Sequence, residues 1–271
     1  MSIHSSSIGE LPSALGDELA QRIGDARPVV FLDYDGTLTP IVDRPEDAVI
    51  SPPMRDVVAR LAERWPVCVV SGRDRPVVQE LMGVYDLVIA GSHGFDIWSP
   101  ETGTIEHDAA TGFEDLLAGV TAELRDALAP IDGAMVEPKR ASVAAHYRLV
   151  AEPQRPEVER VVKRLLAEHE GDLKVTPGKM VYEIQPKLDW DKGRAVLHLL
   201  STLGLDGDDV VPIYVGDDIT DEHAFEALAG RGIGVIVARP DDPEILGRPT
   251  AADFALESVG DVERFLDGVA R

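Results

Sequence analysis

The strongest constraint in this chain is a repeated transition in which a short apolar run stops at a turn of Asp, Gly or Ser. Val29-Val30-Phe31-Leu32 stops at Asp33-Tyr34-Asp35-Gly36, and Val67-Cys68-Val69-Val70 stops at Ser71-Gly72-Arg73. Leu87-Val88-Ile89-Ala90 stops at Gly91-Ser92-His93-Gly94, and the run 210–215 stops at Gly216-Asp217-Asp218. Short apolar runs without alternation are strands covered on both faces, the habit of parallel sheets. Segments with helical spacing separate them: 52–64, where Met54, Val57, Val58 and Leu61 share a face, then 75–82, 192–203 and 221–229. Another apolar run fills 233–237. This alternation predicts an α/β fold with a doubly wound, Rossmann-like parallel sheet.

The pattern breaks after about residue 95 and returns after Pro186. In between, half-polar stretches at 95–98, 134–136, 143–147 and 181–184 surround helical segments near 112–128 and 154–169. Strands of that mixed character suit an antiparallel sheet with helices on one face. The expected organisation is therefore a core of 1–108 and 185–271 interrupted by an inserted α+β cap, 109–184. The first fifteen or so residues, with the polar run His4-Ser5-Ser6-Ser7, read as a frayed lead-in. Gly230-Arg231-Gly232-Ile233-Gly234 leads into a strand rather than out of one, the wrong order for dinucleotide binding, and reads as a turn.

Charge narrows the function. The 271 residues carry 26 Lys and Arg against 49 Asp and Glu, a net of −23, which argues against nucleic-acid or anionic-membrane partners. No apolar run approaches the roughly 20 residues of a membrane helix, and the opening residues lack a basic segment followed by an apolar one, so a soluble cytoplasmic protein is expected. Cys68 is the single cysteine, which excludes an internal disulfide and a multi-cysteine metal site; it reads as core. All six lysines (Lys139, Lys163, Lys174, Lys179, Lys187 and Lys192) fall between 139 and 192. Compositional drift accounts for that as simply as a set of cations gathered over an anionic ligand does.

In open α/β sheets ligands bind beyond the carboxyl ends of the strands. Three such ends carry reactive residue types: Asp33 to Thr37, Ser71 to Arg73, and Gly216 to Glu222. One Asp at such a place is ordinarily a helix N-cap, and Asp221 could simply cap the 221–229 helix. Two acidic clusters at equivalent strand ends need more, because carboxylates at about 4 Å repel by about 4 kcal/mol at an effective dielectric near 20. Something positive must sit among them. Hard oxygen ligands with no His or Cys point to Mg²⁺, and a Mg²⁺ site at the mouth of a parallel sheet points to phosphoryl chemistry. No Gly-rich NTPase loop is present.

These residues resemble the four motifs of the haloacid dehalogenase superfamily of phosphohydrolases. Asp33-Tyr34-Asp35-Gly36-Thr37 is similar to the first, Ser71-Gly72-Arg73 to the second, Lys192-Gly193 to the third and Gly216-Asp217-Asp218 with Asp221 to the fourth, in the expected order. The resemblance implies that Asp33 is the nucleophile that forms an aspartyl-phosphate. Asp35 would protonate the leaving alkoxide and then deprotonate water, for which its reference pKa of about 3.9 should be raised by its surroundings. Ser71 and Lys192 would hold the phosphoryl oxygens. Mg²⁺ would be bound by Asp33, the Asp35 carbonyl and Asp217, with Asp218 and Asp221 as further ligands through water or as supports.

The resemblance narrows to trehalose-6-phosphate phosphatases through Thr39-Pro40-Ile41-Val42, Gly91-Ser92-His93-Gly94 and Gly216-Asp217-Asp218-Ile219-Thr220-Asp221-Glu222. Within the insert, Val136-Glu137-Pro138-Lys139, His146-Tyr147-Arg148 and Gly178-Lys179-Met180-Val181-Tyr182-Glu183-Ile184 resemble that family's sugar-holding segments. By that likeness Glu137, Lys139, Arg148, Lys179 and Glu183 contact the sugar, and Gly72, Arg73 and His93 lie on the substrate side. The same charged residues would serve equally as ion pairs between neighbouring strands. The likeness implies a Mg²⁺-dependent hydrolase for the last step of trehalose biosynthesis, with a sugar phosphate as substrate and the trehalose-6-phosphate synthase as candidate protein partner; a monomer is expected. The rivals are a sibling acting on sucrose phosphate or mannosyl-3-phosphoglycerate, a phosphomutase, and a non-catalytic regulatory module.

Overall fold

The computed structural model describes residues 6–105, 112–239 and 248–271. The chain divides into two compact units, one of Met1–Ile105 with Trp190–Arg271 and one of Glu106–Asp189. The expected boundary at 108/109 and the residues His4 and Ser5 lie outside the described residues.

The first unit is built on an eight-stranded sheet. Its strands are β2 (Arg27–Leu32), β3 (Val67–Val70), β4 (Val88–Gly91), β5 (Asp96–Ser99), β6 (Gly103–Ile105), β11 (Val210–Gly216), β12 (Ile233–Val237) and β14 (Phe254–Leu256). They lie in the order β14-β12-β11-β2-β3-β4-β5-β6. All neighbours are parallel from β14 to β4, and β5 and β6 add antiparallel at the edge. The reason the strands read as unbroken apolar runs is now visible. Val30, Leu32, Val69 and Val215 face one layer with α2 (Pro52–Arg64), α3 (Arg75–Met82) and α8 (Val259–Val269). Phe31, Cys68, Val70 and Tyr214 face the other, with α6 (Lys192–Thr202) and α7 (Ile219–Leu228). Successive side chains of one strand enter opposite cores, so the apolar run of each of these strands is covered on both faces.

Two expectations change. The stretch 95–98, grouped above with the half-polar strands of the antiparallel sheet though inside the expected core of 1–108, extends the core sheet as β5. The lead-in is ordered from residue 6: β1 (Ser6–Ser7) pairs with β13 (Pro249–Thr250), Ile8 is buried, and the Ala14 N–H donates to the Ala255 carbonyl at 3.0 Å. Its polar side chains hide a backbone that pairs with the C-terminal segment. Helix α1 (Asp17–Ile23) follows, anchored by buried Leu19. The Gly-rich 230–234 stretch is the turn from α7 into β12, with Gly230 at φ 79°.

The second unit has a four-stranded antiparallel sheet in the order β7 (Met135–Pro138), β8 (Val143–His146), β10 (Val181–Pro186), β9 (Leu173–Gly178). Helix α4 (Glu114–Leu128) packs on β7 and β8, and α5 (Arg155–Glu168) packs on β9. The register sets Glu137, Ala144 and Glu183 side by side, so they share one face, and Val143 and Ile184 share the other. No helix among the described residues is long and apolar enough to cross a membrane.

Cys68 is fully buried on β3, and burial pushes its thiol up to about 12. Thiol reagents attack the thiolate. Ellman's reagent at about pH 8 is therefore expected to label no thiol in the native chain and the single cysteine in concentrated guanidinium; rapid native labelling would contradict this packing.

Candidate active site

The switch in strand order falls between β2 and β11, from which the sheet winds in opposite directions. Asp33 follows the last residue of β2, and its N–H donates to the Val215 carbonyl at 2.9 Å. Asp217 follows β11 directly. The parallel register of these two strands is thus what places the two carboxylates at one end of the sheet. Between them the chain turns at Gly36, whose φ is 83° and whose N–H donates to the Thr39 carbonyl at 2.8 Å. A Cβ at Gly36 would stand 2.1 Å from Asp217 Oδ2, so glycine is required twice over.

Lys192 comes from another element. It opens α6, where the Asp191 side chain caps the helix by accepting the Arg194 N–H at 2.9 Å. A Cβ on Gly193 would lie 2.2 Å from the His223 carbonyl oxygen, so α6 and α7 approach almost backbone to backbone. That approach delivers Lys192 Nζ to Asp33 Oδ1 at 2.8 Å and to Asp221 Oδ1 at 2.7 Å. All three side chains are buried. Asp218, not Asp221, is the N-cap of α7, accepting the Ile219 N–H at 2.7 Å. Asp221 sits one turn in. Its Oδ2 accepts the N–H groups of Asp217 and Asp218 at 3.0 and 2.9 Å, and its Oδ1 also accepts the Tyr214 hydroxyl at 2.6 Å.

Titration follows from this geometry. Burial opposes ionisation of Asp221, but the Lys192 ammonium and the hydrogen bonds from Lys192, Tyr214 and Asp218 overcome it and hold its carboxyl below the usual range. Burial likewise disfavours a charged Lys192, yet the Asp221 and Asp33 carboxylates lift it well above an ordinary lysine. Asp33 is left undercompensated: burial, with Asp221 and Asp217 adding repulsion against the pull of Lys192, pushes it well above the carboxylate range. Oxygens of Asp33, Asp217 and Asp221 lie within 4.8 Å of one another, a donor set that fits a hard divalent cation. Asp221 already commits both oxygens to protein donors, which makes Asp33 and Asp217 the carboxylates that would hold an ion. Asp218 lies outside this group.

Around the second motif, Arg73 grips Asp35 with two bonds of 2.6 Å, from Nε to Oδ2 and from Nη2 to Oδ1, and its Nη1 donates to the Pro45 carbonyl at 2.8 Å. Ser71 is buried, and its Oγ accepts the Arg73 N–H at 3.1 Å. The His93 ring lies against Gly72. In the second unit, Lys139 Nζ meets Glu183 Oε2 at 3.0 Å, Ser142 donates to Glu183, and His146 Nε2 meets Glu137 Oε2 at 2.8 Å. Arg148 Nη2 donates to the Lys179 carbonyl at 2.9 Å, bracing the β9–β10 hairpin at whose tip Lys179 sits.

Comparison with known proteins decides the family. The trehalose-phosphatase family model matches residues 31–259. A trehalose-phosphate phosphatase of Mycobacterium tuberculosis is 41% identical over 266 residues, spanning 97% of this chain and 67% of the relative. The chain belongs to the trehalose-phosphatase family. Trehalose 6-phosphate phosphatase RA3 of Zea mays is 39% identical over 276 residues, covering 96% of this chain and 74% of that protein. Among solved structures, the C-terminal domain of the Candida albicans trehalose-6-phosphate phosphatase superposes with a TM-score of 0.79 at 22% identity, over 96% of this chain and 98% of that one, and shares the fold. The family is one of phosphate-ester hydrolases, and the chain shares its fold with a haloacid dehalogenase-like hydrolase from Bacteroides thetaiotaomicron, TM-score 0.63 at 17% identity over 90% of this chain and 99% of that one.

Residue types alone did not single out Tyr214, Ser142 or His146. Tyr214 lies inside an apolar strand and reads as core, yet its hydroxyl fixes the carboxylate that fixes Lys192. Gly36 is the sharpest probe of the site. Gly36→Ala is expected to cost about 1–3 kcal/mol of stability through backbone strain. By displacing Asp217 it should also lower phosphatase turnover at least ~100-fold. Thermal melts and phosphate release measure the two, and wild-type turnover would mean that Asp217 does not stand against Gly36.

Proposed function

We propose that the chain is a Mg²⁺-dependent phosphatase that hydrolyses trehalose 6-phosphate to trehalose and phosphate through an aspartyl-phosphate. The observation that carries this reading is the buried Lys192 held between Asp33 at 2.8 Å and Asp221 at 2.7 Å, in an acidic group whose oxygens fit a hard divalent cation. Asp33 and Asp217, with the Asp35 carbonyl, would hold Mg²⁺, which supplies the charge neutralisation that lets an anionic nucleophile approach a phosphate dianion.

Asp33 attacks phosphorus in line, forming the new oxygen–phosphorus bond as the bond to the sugar oxygen breaks. Lys192 holds Asp33 in place and stabilises the equatorial phosphoryl oxygens, and the Ser71 hydroxyl takes another of them. Asp35 gives a proton to the departing sugar oxygen and afterwards takes one from the water that cleaves the aspartyl-phosphate. Both Asp35 oxygens rest on Arg73, so Asp35 must turn off the guanidinium before it can serve the leaving group.

Sugar recognition falls to the second unit. Glu137, Lys139 and Glu183 offer charged donors and acceptors from one face of its sheet, and Lys179 adds another from the hairpin tip. Such groups reject wrong hydroxyl patterns strongly, because a mismatched sugar leaves them unpaired. The Lys139–Glu183 ion pair and the His146–Glu137 hydrogen bond also organise these side chains before a sugar arrives.

The deciding experiment is phosphate release from trehalose 6-phosphate, glucose 6-phosphate, sucrose 6′-phosphate and mannosyl-3-phosphoglycerate, with and without EDTA, using Asp33→Asn as the inactive control. A preference for trehalose 6-phosphate of about 100-fold, equivalent to about 2.7 kcal/mol in the transition state, is expected, and EDTA should abolish it. EDTA-sensitive release without preference would discard the substrate. Lys179→Ala is a separate test of recognition. It should depress kcat/KM for trehalose 6-phosphate at least ~10-fold while sparing a small aryl phosphate, and equal losses on both would remove Lys179 from the sugar site.

A further inference from the structure

We propose that the turn at 91–94 positions the phosphate-holding loop at 71–73, with His93 as a positioning residue that acts through Gly72 rather than as a contact to the sugar. The inference rests on the reading that Ser71 holds the transferring phosphoryl group.

The backbone supplies the first reason. Ser92 and His93 are consecutive non-glycine residues at φ 50° and 57°, in the left-handed region that L side chains avoid. Strain of this kind persists only where the surroundings over-determine it, and it gathers at functional sites. Glycine at 93 would adopt the same turn without that penalty, so what the residue adds is its ring. That ring lies on the residue between Ser71 and Arg73: a Cβ at Gly72 would stand 2.9 Å from both Cε1 and Nε2 of His93.

The turn is also bonded to the loop at every step. The His93 N–H donates to the Ser71 carbonyl at 2.8 Å, the Ser92 N–H to the Arg73 carbonyl at 2.7 Å, and the Ser92 hydroxyl to Asp74 Oδ1 at 2.5 Å. The flanking glycines permit close approach on both sides. A Cβ at Gly91 would lie 2.3 Å from the Arg75 nitrogen, and one at Gly94 would lie 2.3 Å from the Ala195 Cβ. Ala195 is on α6, the helix that begins with Lys192. The turn is therefore wedged between the element that carries Ser71 and the element that carries Lys192.

Moving the ring moves Gly72, and with it Ser71, whose Oγ accepts the Arg73 N–H, and Arg73, which holds Asp35. All of these groups serve the phosphoryl centre and none reads the alcohol. His93 therefore governs turnover of any phosphate ester the enzyme accepts, and leaves discrimination between sugars alone.

The test is steady-state kinetics of the full chain with Mg²⁺ on trehalose 6-phosphate and on para-nitrophenyl phosphate, for His93→Ala, Gly72→Ala and the double variant, with thermal melts as the check on folding. His93→Ala should lower kcat about 10-fold on both substrates with KM little changed, the scale expected when a positioned group shifts by a fraction of an ångström. Gly72→Ala should cost as much or more in the wild-type background and much less in the His93→Ala background, because the obstructing ring is gone. A KM increase confined to trehalose 6-phosphate would make His93 a sugar contact and overturn the proposal. Unchanged kcat, or strictly additive effects of the two substitutions, would overturn it as well. Should His93→Ala melt below the assay temperature, His93→Gln supplies the same split of kcat from KM. A wild-type chain that hydrolyses neither ester would instead overturn the reading on which the inference stands.

Discussion

The buried Lys192 ammonium between Asp33 and Asp221 is the interaction on which the rest of the first unit depends. Removing one partner of such a cluster strands the other charges away from water, at a cost of about 3–5 kcal/mol. The fold invests in it accordingly. Gly193 lets α6 settle on the backbone of α7, the Tyr214 hydroxyl and the N–H groups of Asp217 and Asp218 saturate Asp221, and Asp191 fixes the start of the helix that carries the lysine. Asp221 is fully committed to protein donors, while Asp33 and Asp217 bring further carboxylate oxygens within 4.8 Å of it.

Topology explains why this cluster can exist. β2 and β11 are neighbours in space, but the whole second unit lies between them in the chain. Parallel pairing brings their carboxyl ends level, and the helices α6 and α7 carry Lys192 and Asp221 on the same side of the sheet as Tyr214. The chain can therefore accept an inserted module between β6 and α6 without disturbing the register that places Asp33 beside Asp217.

Much of this was legible in the residues because burial on both faces leaves an unmistakable apolar run. β2, β3, β11 and β12 show it, and the polar turns after the first three mark the candidate site. β5 did not, since Asp96 and Trp98 give an antiparallel extension of the core sheet the same half-polar look as strands of the insert. β14 is too short to carry a period, whereas Val262, Phe265, Leu266 and Val269 on α8 do carry one behind the Ser258 cap. Side-chain partners were the hardest to read. Nothing local to Arg73 says that its guanidinium goes to Asp35, and nothing local to Tyr214 says that its hydroxyl goes to Asp221. Those pairings are set by which strands are neighbours, a property of the assembled sheet.

The second unit uses a different device to hold charged groups. Its polar residues are fixed by strand register: Glu137, Ala144 and Glu183 are level across three strands, and a one-residue slip would send Glu183 to the opposite face with Val143 and Ile184. Ala144 matters for what it lacks. A methyl group between two carboxylate-bearing positions leaves room for Lys139 to reach Glu183 and for His146 to reach Glu137, so the two pairs stand apart instead of merging into one cluster. In the first unit, helix approach gathers charge into a single buried centre. In the second, strand register spaces the charged groups along one face of the sheet.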